Sequence, residues 1–210
     1  MRDIPVFATE LGVGSLVLKD IPYRAVAYIK LLSSEQPEAF LNECASFCRA
    51  AGAEHIYASG HICLEKWKHH TDIYLMCRQN FDSATDAVFP VQEHTLDKWL
   101  EIYNEAMQDV PNAAYMTKQG GLELLKEKSA YFVHSEGSIL GIGVASNDKV
   151  QAIAACQKGA GERVLKAICG TLDSEFVNLE VAANNDKAMR LYERLGFVRT
   201  KLVASWYEVV

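Results

Sequence analysis

Within one short stretch of the chain, Glu180, Asn185 and Tyr192 supply a carboxylate, an amide and a phenol, a set of polar groups suited to proton transfer. Chemistry of that kind needs one group to accept a proton and another to support a leaving group. A carboxylate suits the first task, and a phenol, still protonated at neutral pH, suits the second. Upstream, the turn Gln157-Lys158-Gly159-Ala160-Gly161 opens a helical pattern. Small residues there let the backbone come close to a phosphate, and unpaired N–H groups at a helix start carry partial positive charge. Each feature also has a plainer reading. Glu180 then faces solvent from a strand, Tyr192 is a core aromatic, Asn185 or its neighbours Asn184 and Asp186 cap a helix, and the glycine turn is a tight connection.

The elements that must position these groups are legible around them. Val177, Leu179 and Val181 alternate as a strand, which turns Glu180 to the opposite face. Ala188, Leu191, Tyr192 and Leu195 follow at helical spacing, with Gly196 as a left-handed stop. From Val88 onward the expected order is β, α, α, β, β, β, α, β, α, β, with turns at Glu136-Gly137 and Asn147-Asp148. The helix after the glycine turn runs through Val164, Leu165, Ile168 and Leu172, and VRTKLVASWYEVV is the last strand.

The first ninety residues repeat part of that order. Two strands (GSLVLKD, YRAVAYIKLL), a helix from Glu38 to about Ala51 with Phe40, Leu41, Cys44 and Cys48 on one side, and the strand HIYASG mirror the strand-helix-strand core of the second half. The counterpart of the glycine turn is SSEQP, which has no glycine and a proline suited to a first helical turn. Residues 1–87 are therefore expected as a degenerate half and 88–210 as the working domain, with FDSATDA as linker. A single domain with an extended N-terminal sheet is the alternative.

Composition narrows the class. A chain of 210 residues, half of them apolar, can bury a full core. A net charge of -6 without a dense Lys/Arg tract argues against a nucleic-acid surface. The first twenty residues alternate and carry acids, so neither a signal-peptide core nor a membrane span is expected, and the cytoplasm is the default location. Cys44, Cys48, Cys63, Cys77, Cys156 and Cys169 lack paired spacing, as reduced thiols do, and no metal is expected. His69 and His70 are adjacent and diverge on any regular element, and His134 stands alone.

The pattern N-x-x-A-x-x-L-Y-x-x-x-G-F from Asn185 to Phe197 resembles the signature of the GCN5-related N-acetyltransferases (GNAT). The LEV-x-x-x-N start looks like the branch that acetylates ribosomal-protein N-termini. The resemblance implies an α/β acetyltransferase fold in which two neighbouring strands splay and acetyl-coenzyme A wedges between them. It implies Glu180 as general base, often through water, and Tyr192 as general acid toward the departing thiolate. It assigns the coenzyme to Ala154, Cys156, the backbone of Gln157, Lys158, Gly159, Ala160, Gly161 and Glu162, and to Asn185. The family places Arg or Gln three residues before the first glycine of a longer loop, where this chain has Cys156. The implied acceptor is a small-molecule amine or a protein N-terminus or lysine, and the chain is a monomer or homodimer. A coenzyme-binding sensor or scaffold without turnover, or an acyltransferase with another donor, keeps the same fold.

Overall fold

The computed structural model describes residues 2–60, 64, 66–81, 86–111 and 113–209. Its elements in chain order are β1 (Ile4–Thr9), β2 (Gly12–Val17), α1 (Ile21–Arg24), β3 (Val26–Ser33), α2 (Pro37–Ala50), β4 (His55–Gly60), β5 (Lys68–Gln79) and β6 (Ala87–Pro90). A 3-10 turn at Glu93–Thr95 leads to α3 (Leu96–Ala106) and α4 (Lys118–Lys126). Then come β7 (Ala130–Ser135), β8 (Ser138–Ser146), β9 (Lys149–Ala155), α5 (Gly161–Cys169), β10 (Phe176–Ala182), α6 (Asp186–Arg194) and β11 (Val198–Glu208). From β6 onward this is the order expected from the sequence.

The chain divides into two compact units, residues 1–73 with 202–210, and residues 74–201. The division falls inside β5 and inside β11 rather than at the expected 87/88. Residues 74–79 of β5 therefore pack with the second unit and 202–208 of β11 with the first. Most of the expected linker, residues 82–85, lies outside the described residues, as does Cys63.

In the first unit the strand order is β1-β2-β3-β4-β11-β5. Helix α2 starts on Pro37, as a proline lacking an N–H should, and buries Phe40, Leu41, Cys44, Ala45 and Cys48. These pack on Leu16, Ala27, Ile29, Leu31, Ile56 and Ala58, the alternating inward residues of β2, β3 and β4.

In the second unit the order is β11-β5-β10-β9-β8-β7-β6. Helices α5 and α6 cover one face, where Val164, Leu165, Ile168 and Met189 meet Val133, Leu140, Val150, Val177, Leu179, Val181 and Met76. Gly143 of β8 admits α5 closely, since a Cβ there would stand 2.5 Å from Ile168. The other face is covered by α3 and α4, with Trp99 fully buried against Phe132, Ile142, Val144 and Ala154. No described helix is long and apolar enough to cross a membrane.

Candidate functional site

The site begins with a failure of pairing. Strands β9 and β10 run parallel, yet hold register at only two positions, Asn178 opposite Lys149 and Leu179 opposite Val150. Beyond them Ala152 to Ala155 stay paired to β8, while Glu180, Val181 and Ala182 have no register partner on β9, so the pairing opens there as a V. The corresponding pair in the first unit behaves differently. There β3 and β4 stay in register through six positions, from Val26 opposite His55 to Leu31 opposite Gly60.

At the open end of the V, β9 runs into the glycine turn. Cys156 donates its amide to Leu140 O at 2.9 Å, and Ala160 donates to Gln157 O at 3.2 Å. The amides of Gln157, Lys158, Gly159, Gly161, Glu162 and Arg163 donate to no group among the described residues. Those of 161–163 are the orphan donors that any helix start leaves, and the turn adds three more. Gly159 has φ +86°, a left-handed conformation that glycine adopts without strain, and a Cβ there would meet open space. The turn is thus a row of unspent donors with open space beside Gly159.

The charges around it divide into engaged and unengaged. Arg163 is held by Asp86 (Nε to Oδ2, 3.1 Å) and by Ser135, and this bond keeps the Asp86 carboxyl below its usual range. Glu162 is paired to Lys166 at 2.8 Å, which lowers its pKa as well. Lys158 is exposed and makes no ion pair among the described residues.

Glu180 lies where the sequence placed it, on the face of β10 away from Leu179 and Val181. It is not a lone carboxylate, because Lys149 Nζ donates to its Oε1 at 2.6 Å. The sequence reading missed Lys149, since the two residues are 31 apart and meet only through the β9–β10 register.

Asn185 is the N-cap of α6, its Oδ1 accepting from the Ala188 amide at 3.2 Å. The side-chain oxygen therefore has a structural use already. Tyr192 packs against the core under α5 and α6, its ring 5.8 Å from that of Phe197. Burial, with the neighbouring Cys169 thiol adding to it, pushes its hydroxyl up to about 12. Tyr192 packs with the cluster that holds Leu179 and Val181, and so lies on the face of β10 opposite Glu180. Ala154 is buried toward α3, and Cys156 is exposed at the lip of the turn.

His69, His70 and His134 form no joint site. The His69 ring meets Tyr207 and its Nε2 pairs with Asp72, while the His70 ring lies 4.2 Å from Tyr57. His134 is wedged between Phe89 and Phe132. No group of three or more metal-binding side chains is gathered among the described residues.

No protein-family model and no curated protein sequence matches the chain. Solved structures do. A GCN5-related N-acetyltransferase from Sphaerobacter thermophilus superposes with a TM-score of 0.58 at 11% identity, over 94% of this chain and 76% of that one. A putative acetyltransferase from Pyrococcus horikoshii gives 0.60 at 13% identity, over 95% and 69%. A GNAT-family acetyltransferase from Colwellia psychrerythraea gives 0.55 at 10%, over 98% and 84%. The fold is the α/β acetyltransferase fold, and the likeness extends over residues of both units.

Proposed function

We propose that the chain is an N-acetyltransferase that uses acetyl-coenzyme A as acyl donor and a primary amine as acceptor. The observation that carries this reading is the loss of register beyond Val150 and Leu179, directly under a turn of unpaired amides. A parallel pair that breaks off mid-strand leaves backbone donors and acceptors facing the gap, and these need a partner. A pantetheine arm carries two amides and meets that need, while its pyrophosphate suits the amides of 157–163 and the charge of Lys158.

In this reading the amine lone pair forms a bond to the thioester carbon, giving a tetrahedral intermediate. The proton leaves the nitrogen for Glu180, directly or through water, and the carbon–sulfur bond then breaks. With its hydroxyl held up at about 12, Tyr192 assists the thiolate by donating a hydrogen bond rather than by surrendering its proton, because a thiol is the stronger acid. The proton on Glu180 returns through solvent to the thiolate, leaving an amide and a free thiol. The first unit supplies a second, degenerate acetyltransferase-like half whose strand pair β3–β4 stays in register. Following thiol release from acetyl-coenzyme A against a panel of amines tests the reading. Release that depends on the amine and on Glu180 supports it, and no release with any amine sinks it.

A reading without turnover draws on two observations, the packing of Tyr192 in the core and the use of Asn185 as a cap. A coenzyme-binding protein of this kind would bind coenzyme A as tightly as acetyl-coenzyme A and release no thiol.

A further inference from the structure

The Lys149–Glu180 pair sits at the root of the V, with Lys149 opposite Asn178 and Glu180 the first residue of β10 past the last paired position. Their side chains are 37% and 39% exposed, so the pair is open to a ligand. Val150, Leu179 and Val181 all join the core under α5 and α6, and strand alternation puts both charged groups on the other face. On that face α3 and α4 cover residues of β7, β8 and β9, and no residue of β10 belongs to their apolar cluster. The other polar side chains of β9 and β10 are already used. Asn178 donates to Asp148 at 2.7 Å and Gln151 to Ser146 at 3.0 Å. On these two strands one cation and one anion keep spare capacity, since Oε2 of Glu180 and two of the three donors of Lys149 bond no described residue.

We infer that this pair reads both charges of the acceptor, and that the acceptor is a free α-amino acid whose ammonium meets Glu180 while its carboxylate meets Lys149. The inference rests on the acetyltransferase reading above. A simple ammonium ion gains little from a carboxylate already neutralised at 2.6 Å, because repulsion from Lys149 offsets most of the attraction. A zwitterion laid antiparallel to the pair brings each charge against its opposite and adds charge-assisted hydrogen bonds at both ends. The same placement delivers the amine to the carboxylate that takes its proton. A peptide N-terminus, its carboxyl tied up in an amide bond, offers Lys149 nothing.

The test is calorimetric titration of the full chain, with coenzyme A present, using a panel of free L-amino acids and the C-terminal amide of each. At least one amino acid is expected to bind about tenfold or more tightly than its amide. Lys149→Met should abolish that preference and leave coenzyme A affinity unchanged, while Glu180→Gln should weaken acid and amide alike. Amides that bind as tightly as the acids, a preference that survives Lys149→Met, or no amino acid binding at all overturns the inference. Thiol release on the same panel reads the underlying activity separately. Turnover on amides or peptides as fast as on free acids removes the zwitterion site and keeps the acetyltransferase, whereas selective binding without thiol release does the reverse.

Discussion

Val150 stands opposite Leu179 as the last pair at which β9 and β10 hold register, whereas in the first unit Leu31 is still in register with Gly60 at the end of β4. One strand pair loses register part-way, while its counterpart holds register along the whole of β4. The open one is the one followed by a glycine turn.

One coenzyme should therefore bind per chain. Calorimetric titration with coenzyme A is expected to give a stoichiometry of one, unchanged by substituting Ser34 or Gln36 in the turn before α2. Two sites per chain, or loss of binding on those substitutions, would show that the first unit holds the coenzyme.

Within the turn, Gly159→Val combines a left-handed φ with a branched side chain on the surface the phosphates approach, and Gly161→Val adds bulk 3.2 Å from Leu191. Both should weaken coenzyme binding, by about tenfold or more for Gly159. Lys158→Ala should cost less, since a solvent-exposed point charge is screened. Valine variants that fold and bind like the parent place the phosphates elsewhere.

The pH dependence of stability gives a test of where Tyr192 lies. Its hydroxyl is held up at about 12 against an ordinary 10, so the folded chain binds that proton more tightly than the unfolded one. The associated stability is fully present below pH 10 and is lost as the pH rises toward 12, a change of up to about 3 kcal/mol. Tyr192→Phe should flatten the fall of the urea midpoint between pH 10 and pH 12 relative to the parent. Burial raises the Cys44 and Cys169 thiols to about 12 as well, so the difference between the two proteins is the quantity to read. Equal slopes in parent and variant would mean that the phenol is solvated.

Cutting the chain at 87/88 should fail to give a stable second domain, although every residue proposed for chemistry is retained. The cut removes Met76, fully buried in the core under α5, and Arg78, whose Nη1 donates to Leu195 O at the end of α6. It also removes Asn80, whose side-chain amide donates to the carbonyls of Cys169, Leu172 and Ser174. Circular dichroism and solubility of the 88–210 fragment check this, and a fragment that melts cooperatively near the parent's temperature would contradict it.

The two strands that run from one unit into the other mark what the sequence could not tell. The strand from Val177 to Val181 and the helix from Asp186 to Arg194 were legible because both bury one face and show clean periodicity. Strand β5 was not, because only Thr71 and Met76 of its twelve residues are buried, and its polar start reads as a loop. β1, with Pro5 and little burial, was missed for the same reason. At the site, Glu180 could be assigned to a face from alternation alone. Its ion pair with Lys149 could not, since register between parallel strands is set by tertiary packing and leaves no local trace. The cap at Asn185 was one of two readings the sequence allowed, and it is the one the backbone adopts.

The most direct test is thiol release from acetyl-coenzyme A in the presence and absence of a primary amine, for the parent and for Glu180→Gln. Amine-dependent release by the parent is expected, falling by about a hundredfold to ten-thousandfold in the variant near neutral pH and recovering in part as the pH rises and the amine deprotonates unaided. Equal rates in the two proteins would remove Glu180 as the base, and a parent that binds coenzyme A yet releases no thiol with any amine would contradict acetyl transfer itself.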